Sequence, residues 1–261
     1  MSVQIHPSSV VSPEAQLGEG VVVGPFCVVE GNAIIGARTV LRSHVVVGPH
    51  TELGEDNQIY PHCSVGLDPQ DLKFDGEITR LRVGNRNVIR EGCTLNRGTG
   101  GGGGITTLGD DNLLLTGAHI AHDCHVGNRN VFANCATLAG HVEVGSFCNI
   151  GAFCAIHQFC RVGDHAFIGG FTVATQDVLP YMKTVASRET KSYGVNLIGL
   201  QRKGFAPGSI GGLKKAHRLL VQAGLLREDA MAQAEQEFGH IPEAQYLLSF
   251  IKASERGVHR G

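Results

Sequence analysis

The sequence predicts a mostly β fold, a parallel β-helix followed by a C-terminal α-helical domain, on three observations. An aliphatic residue recurs every sixth position over most of the first 170 residues. The residues between are rich in Gly, Asn, Asp and Pro, and after about Pro180 the spacing becomes helical. The aliphatic leads run Ile5, Val11, Leu17, Val23, Val29, Ile35, Leu41, Val47, Leu53, Ile59 and Val65, and resume in phase at Val83, Ile89 and Leu95. After a slip of one residue across Gly100 to Gly104 they continue from Leu108 to Ile168, with Phe132 the sole lead that is not Ile, Leu or Val.

Each hexad has a physical reading. With the lead as position one, position five is small, as at Cys27, Ala33, Thr39, Val45, Cys63, Cys93, Ala118, Cys124, Ala136 and Cys148. Positions five, six and one then point in, out and in, which is the period of a short strand. Positions two to four turn a corner. Three such sides close a triangular coil of eighteen residues, and successive coils stack as parallel strands about 4.8 Å apart. Residues 1–185 are assigned to this solenoid. Two stretches interrupt it, near 71–82 (DLKFDGEITRLR) and near 100–107, and both are expected to be extruded as loops. A phosphate-cradling role for the glycines of the second lacks the following Lys-Ser/Thr and the strand-then-helix context that such loops have.

Residues 186–261 are assigned to the helical domain, capping the C-terminal end of the solenoid. Ile210, Leu213, His217, Leu220, Val221 and Leu225 recur near 3.6, with Pro207 and Ser209 suited to the helix start and Gly224 to its end. Further helices are expected over 228–237 and 242–255.

Composition narrows the function. A formal charge of −2 excludes a strongly basic nucleic-acid binder, and no apolar run reaches the roughly 18 residues of a membrane span. The N-terminus has no signal-peptide pattern, so a cytoplasmic protein is expected. Seven of the eight Cys (27, 63, 93, 124, 148, 154, 160) fall on position five and Cys135 falls on a corner. With no CxxC pair they read as small core residues rather than zinc or redox ligands. Position six points outward yet holds Val22, Val28, Ile34, Val40 and Val46, read here as an apolar row that a second copy of the chain should cover.

The histidines carry the chemistry. Hexads led by Ile120, Leu138 and Ile156 are three apart, so they stack on one side. His122, His141 and His157 then share one edge within roughly 10 Å, with Asp123 beside His122, Gly140 one coil above it and Asn96 one coil below. Such a group suits general-base catalysis, in which His removes a hydroxyl proton, Asp orients the ring and an N–H holds an oxyanion. A zinc-dependent β-helix hydratase of the carbonic anhydrase type is the rival, although its three His ligands do not share one edge. A purely structural solenoid is the third reading.

The hexad pattern resembles that of the left-handed β-helix acyltransferases. The runs DNLLLTGAHIAHDCHVGN, ATLAGHVEVG, AIHQFCRVG and GVNLIGLQRKGF resemble the UDP-N-acetylglucosamine O-acyltransferase family over essentially the whole chain. The resemblance implies a cytoplasmic homotrimer that moves an (R)-3-hydroxyacyl chain from acyl carrier protein to the 3-hydroxyl of UDP-N-acetylglucosamine, the first step of lipid A synthesis. It implies no metal and no cofactor beyond the donor's phosphopantetheine. It makes His122 the base, Asp123 its partner and the Gly140 amide the oxyanion donor. It assigns substrate contacts to Asp71, Lys73, Asn96, His119, His141, His157, Gln158, Asn196, Arg202 and Lys203, and acyl-chain length to Gly170. Three departures from the family pattern stand out: Asn96 for His, Ile198 for an acidic residue, and the stretch from Ala186 to Thr190. The first raises a 3-amino UDP-sugar as an alternative acceptor, because an amide offers both a donor and an acceptor.

Overall fold

A computed structural model of the chain describes residues 2–186, 190–222 and 226–259. Most hexad leads end a strand two residues long, as in Val22–Val23, Val28–Val29 and Ile34–Ile35. Every third strand pairs in parallel, Val22 with Val40 and Val28 with Val46, so three faces form. The first face runs from Gln4–Ile5 up to Phe167–Ile168, the second from Val10–Val11 to Val173–Ala174, and the third from Gln16–Leu17 to Arg161–Val162. We call the edge between first and second faces the first edge, that between second and third the second edge, and the remaining one the third edge.

The corners turn on a left-handed residue at position four, as at Phe26 (φ 58°), Asp123 (59°), His141 (61°) and Phe159 (64°). Each non-Gly residue there costs about 1–2 kcal/mol. Part of this is offset because the same residue donates its N–H to the coil below, His141 to His122 O at 3.0 Å and His44 to Pro25 O at 3.0 Å. Glycine follows the leads for a different reason. A Cβ at Gly48 would lie 2.1 Å from Gly66 O, so the stacked backbones leave no room for a side chain.

Leads and position-five residues are buried from Val23 onward. The first coil has nothing beneath it, and Ile5 is 47% exposed. Position five departs from expectation on the third edge, where it holds buried Asn57, Asn87, Asn112 and Asn130. Asn57 Oδ1 accepts from Asn87 N (2.9 Å) and Nδ2 (3.0 Å), Asn87 Oδ1 accepts likewise from Asn112, and Asn112 Oδ1 from Asn130 N. The ladder satisfies its own amides, which is what makes polar groups tolerable inside the stack.

Both interruptions leave the second edge, one coil apart. Strands Ser64–Leu67 and Arg80–Val83 bound the first, and Thr94–Asn96 and Ile105–Leu108 the second. The expected loop limits are therefore corrected to 68–79 and 97–104, since Arg80–Arg82 and Ile105–Thr107 already pair as strands. Two other expectations also fail. Successive position-six residues advance one face per hexad, so Val22 and Val40 lie on the first face, Val28 and Val46 on the second and Ile34 on the third. They form no single row. After Pro180 the chain first makes an antiparallel hairpin, Met182–Ala186 with Thr190–Val195. The helices follow: α1 Leu197–Arg202, α2 Pro207–His217 continuing as a wider turn over Arg218–Gln222, α3 Arg227–Phe238 and α4 Pro242–Lys252. Leu213, Leu247, Leu248, Phe250 and Ile251 pack there with Leu179 and Met182 in a second apolar cluster. Gly224 and Leu225, and Ser187 to Glu189 of the departing stretch, lie outside the described residues.

Candidate active site

The strands ending at Ile120, Leu138 and Ile156 stack on the second face, and their turns put His122, His141 and His157 on the second edge as expected. His122 Nδ1 lies 2.8 Å from Asp123 Oδ2, with the His side chain 14% exposed and the Asp side chain fully buried. The carboxylate also accepts from Thr99, whose N–H donates to Oδ1 (2.8 Å) and whose hydroxyl donates to Oδ2 (2.6 Å). An ionised carboxylate only accepts, so His122 Nδ1 carries the proton and Nε2 is left basic. Gly140 covers the ring: a Cβ there would lie 2.5 Å from His122 Cε1 and 2.7 Å from Nε2.

His141 stands edge-on to His122, with ring centroids 5.2 Å apart, and stacks on Phe159 at 4.4 Å. His157 is exposed beside Gln158, and its Nδ1 lies 3.0 Å from an Arg256 guanidinium nitrogen. Arg256 reaches it because Ser254 donates to Asp177 Oδ2 (2.7 Å) and Asp177 N donates to Gly257 O (2.9 Å), fastening the C-terminal segment to the last coil. His119 faces outward on the second face with Thr94 Oγ1 2.6 Å from its Nδ1, and burial, followed by the charge of His122, lowers its basicity. Beside this edge a cleft of about 740 Å³ is lined by Asp123, His125, His141, Phe159, Arg161 and Arg256 among others. His125, not among the residues singled out from the sequence, lines this cleft.

The other expected residues are dispersed. Asn96 is buried on the second edge, its Nδ2 donating to Asp68 O at 2.7 Å. Asp71 and Lys73 sit in the first loop, tied only locally by Lys73 N donating to Asp71 Oδ1 (3.0 Å). That loop is pinned to the second, since Gly100 N donates to Glu77 Oε1 at 2.8 Å. Asn196 caps α1, accepting from Gly199 N (3.2 Å) and donating to His165 O (3.2 Å). Lys203 Nζ lies 4.8 Å over Phe147, so this run stands at the third edge. Gly170 follows a first-face strand and so sits on the first edge, near exposed Phe153 and Phe171 stacked at 5.1 Å. Within one chain His122 and Gly170 therefore occupy different edges.

The seven position-five thiols are buried in the core, and Cys135 on its corner is exposed. Burial pushes Cys124 and Cys148 up to about 12, away from nucleophilic use. His122, Asp123 and His141 each bring a donor atom within 4.8 Å of the others. The carboxylate is already committed to Thr99 and His122, and His157 faces a guanidinium. The set suits an oriented base better than a three-His metal centre.

The comparisons with known proteins agree with this layout. Residues 14–49 and 105–140 match the bacterial transferase hexapeptide (six repeats) model, and residues 177–259 match the model for domain 2 of UDP-N-acetylglucosamine O-acyltransferase. The acyl-[acyl-carrier-protein]–UDP-N-acetylglucosamine O-acyltransferase of Alkalilimnicola ehrlichii is 50% identical over 257 residues, covering 98% of this chain and 99% of its own. The chain belongs to this O-acyltransferase family. Among solved members, the Acinetobacter baumannii protein superposes with a TM-score of 0.95 at 41% identity, covering 98% of this chain and 99% of its own. The UDP-N-acetylglucosamine acyltransferase of Bacteroides fragilis reaches 0.96 at 36% identity, covering 98% and 100%. The left-handed parallel β-helix with its C-terminal helical domain is the architecture of the O-acyltransferase family.

Proposed function

We propose that the protein transfers an (R)-3-hydroxyacyl chain from acyl carrier protein to the 3-hydroxyl of UDP-N-acetylglucosamine, the opening step of lipid A synthesis, in the cytoplasm. The observation that carries the mechanism is the buried Asp123 carboxylate 2.8 Å from His122 Nδ1, which orients the ring and leaves Nε2 as the nitrogen that can receive a proton. His122 Nε2 takes the acceptor hydroxyl's proton as that oxygen attacks the thioester carbonyl. The Gly140 amide stabilises the tetrahedral oxyanion, and collapse breaks the C–S bond, with the imidazolium proton passing to the phosphopantetheine sulfur. No metal and no resident cofactor take part. The test is an assay with 3-hydroxyacyl carrier protein and UDP-N-acetylglucosamine before and after chelator treatment. An alkali-labile ester formed in both overturns the zinc and structural readings, whereas loss on chelation that zinc restores would overturn this one. A 3-amino acceptor in the same assay, read as alkali-stable amide, decides the acceptor.

The site is completed between copies. Asn196, Arg202 and Lys203 stand at the third edge and Gly170 on the first, so they meet His122 only across a contact between chains, in keeping with a homotrimer. Mixing His122→Ala chains with Arg202→Ala/Lys203→Ala chains should regain activity that neither has alone. Absence of complementation in verified mixed trimers would place the whole site within one chain.

The donor is acidic, and Arg202, Lys203, Lys214, Lys215 and Arg218 are all exposed on and after α1 and α2. Lys214→Glu with Arg218→Glu should raise KM for acyl carrier protein and flatten its salt dependence. An unchanged salt dependence would put donor docking elsewhere.

Gly170 is exposed on an edge with aromatic neighbours, and its missing side chain leaves the groove open. One further coil gives room for roughly four methylenes, so donors of about twelve to fourteen carbons are expected. Gly170→Met should shift preference to shorter chains, as a ratio of kcat/KM values across donors will show. A Cβ there comes within 3.3 Å of Ala152 O, which the backbone can accommodate by a small shift.

A further inference from the structure

We propose that Thr99 is a positioning residue for the His122–Asp123 pair, delivered to it by the glycine-rich excursion 97–104; the inference rests on the catalytic reading above. Asp123 Oδ2 accepts from two donors, the Thr99 hydroxyl at 2.6 Å and His122 Nδ1 at 2.8 Å. The oxygen on which the imidazole orientation depends is thus held from the other side by one hydroxyl. Thr99 is 5% exposed, and its single oxygen is used twice, donating to Asp123 and accepting from Gly102 N at 3.1 Å. Its own N–H fixes the second carboxylate oxygen at 2.8 Å, so the carboxylate plane has no freedom to rotate.

The glycines serve this arrangement. A Cβ at Gly102 would lie 2.1 Å from Asp123 Cγ, and one at Gly98 would lie 2.8 Å from Oδ1. Backbone without side chains is what can close over a buried carboxylate and keep water from it. Gly103 and Gly104 take φ of 95° and 79°, bringing the chain back to the third face within a few residues. The turn is anchored from outside by Glu77, whose carboxylate accepts from Gly100 N at 2.8 Å. The loop bearing Asp71 and Lys73 is therefore mechanically joined to the residue that holds Asp123.

Thr99→Val keeps the branched shape and removes only the hydroxyl. It should lower kcat by about 10- to 100-fold, the loss expected for one hydrogen bond to a charged group, with KM for both substrates unchanged. Thr99→Ser should restore most of it. The readout that needs no turnover is the low-field proton resonance of His122 Nδ1–H, which is identified by its absence in His122→Ala. It should move in Thr99→Val and return in Thr99→Ser. Movement of the resonance in a protein without acyl transfer would sustain the positioning role while sinking the functional reading. A resonance that stays in place in Thr99→Val, or full kcat in that variant, overturns the proposal. Should Thr99→Val not fold, Gly102→Ala puts the same question, since its methyl must push the carboxylate off His122.

Discussion

His122→Ala is expected to lower kcat by about 10²–10⁴-fold, the usual contribution of a positioned general base. The fold should survive the change. His122 sits at a corner, outside the aliphatic column, and its backbone carbonyl still accepts from His141 N at 3.0 Å. The truncation removes the atom that receives the acceptor proton but not the acceptor's other contacts, so the loss belongs in kcat rather than KM. Single-turnover measurement with preloaded donor separates the two. Full turnover in this variant would end the mechanism. His141→Ala should do less, and mainly through binding, because its Nε2 stands 3.8 Å from Asp123 Oδ2 and makes no strong bond to the carboxylate.

Asp123→Asn carries the second large effect, for a reason visible in the donors around it. Thr99 N points at Oδ1, while Thr99 Oγ1 and His122 Nδ1 point at Oδ2. An amide that aims its NH2 at the Thr99 N–H sets donor against donor, and one that aims it at the other set forces His122 Nδ1 and the Thr99 hydroxyl to accept. The variant should lose about 10²–10⁴-fold in kcat, through an imidazole held in the wrong tautomer. It should also lose about 1–3 kcal/mol of stability, from a buried polar group left without its partner. Denaturant unfolding beside steady-state kinetics measures both. A fall in activity with no change in stability would mean that the Thr99 contacts re-form around the amide.

What could be read in the sequence follows from what a period encodes. The spacing of six names the strand, the corner and the stacking partner at once, so Leu138 above Ile120 was legible without coordinates. So was the common edge of His122, His141 and His157. The same arithmetic also separates Val22, Val28 and Ile34 onto three faces, since each hexad advances by one face. Asn57, Asn87, Asn112 and Asn130 look like polar errors in an apolar column until their mutual bonds are seen. Thr99 was hidden because it enters the site through a segment without period, 24 positions from Asp123. Arg256 lies 99 positions from His157, and no spacing rule connects a C-terminal segment to a corner. The hairpin Met182–Val195 was missed because the helical pattern beyond it begins only later in the chain.

Both excursions open from the second edge, and the interior takes no count of them. Eighteen residues separate Val65 from Val83 and thirteen separate Leu95 from Leu108, where a plain hexad takes six, yet Leu53, Val83 and Leu108 still pair in register. One insertion preserves the hexad phase and the other breaks it, with the same result for the stack. This edge is thus a place where evolution or an engineer can add chain of arbitrary length without renumbering the core. A single residue added to one of the plain corners elsewhere would leave every lead beyond it one step out of phase. Among the described residues, His122, His141 and His157 share the edge from which both excursions leave, where added chain is structurally cheap.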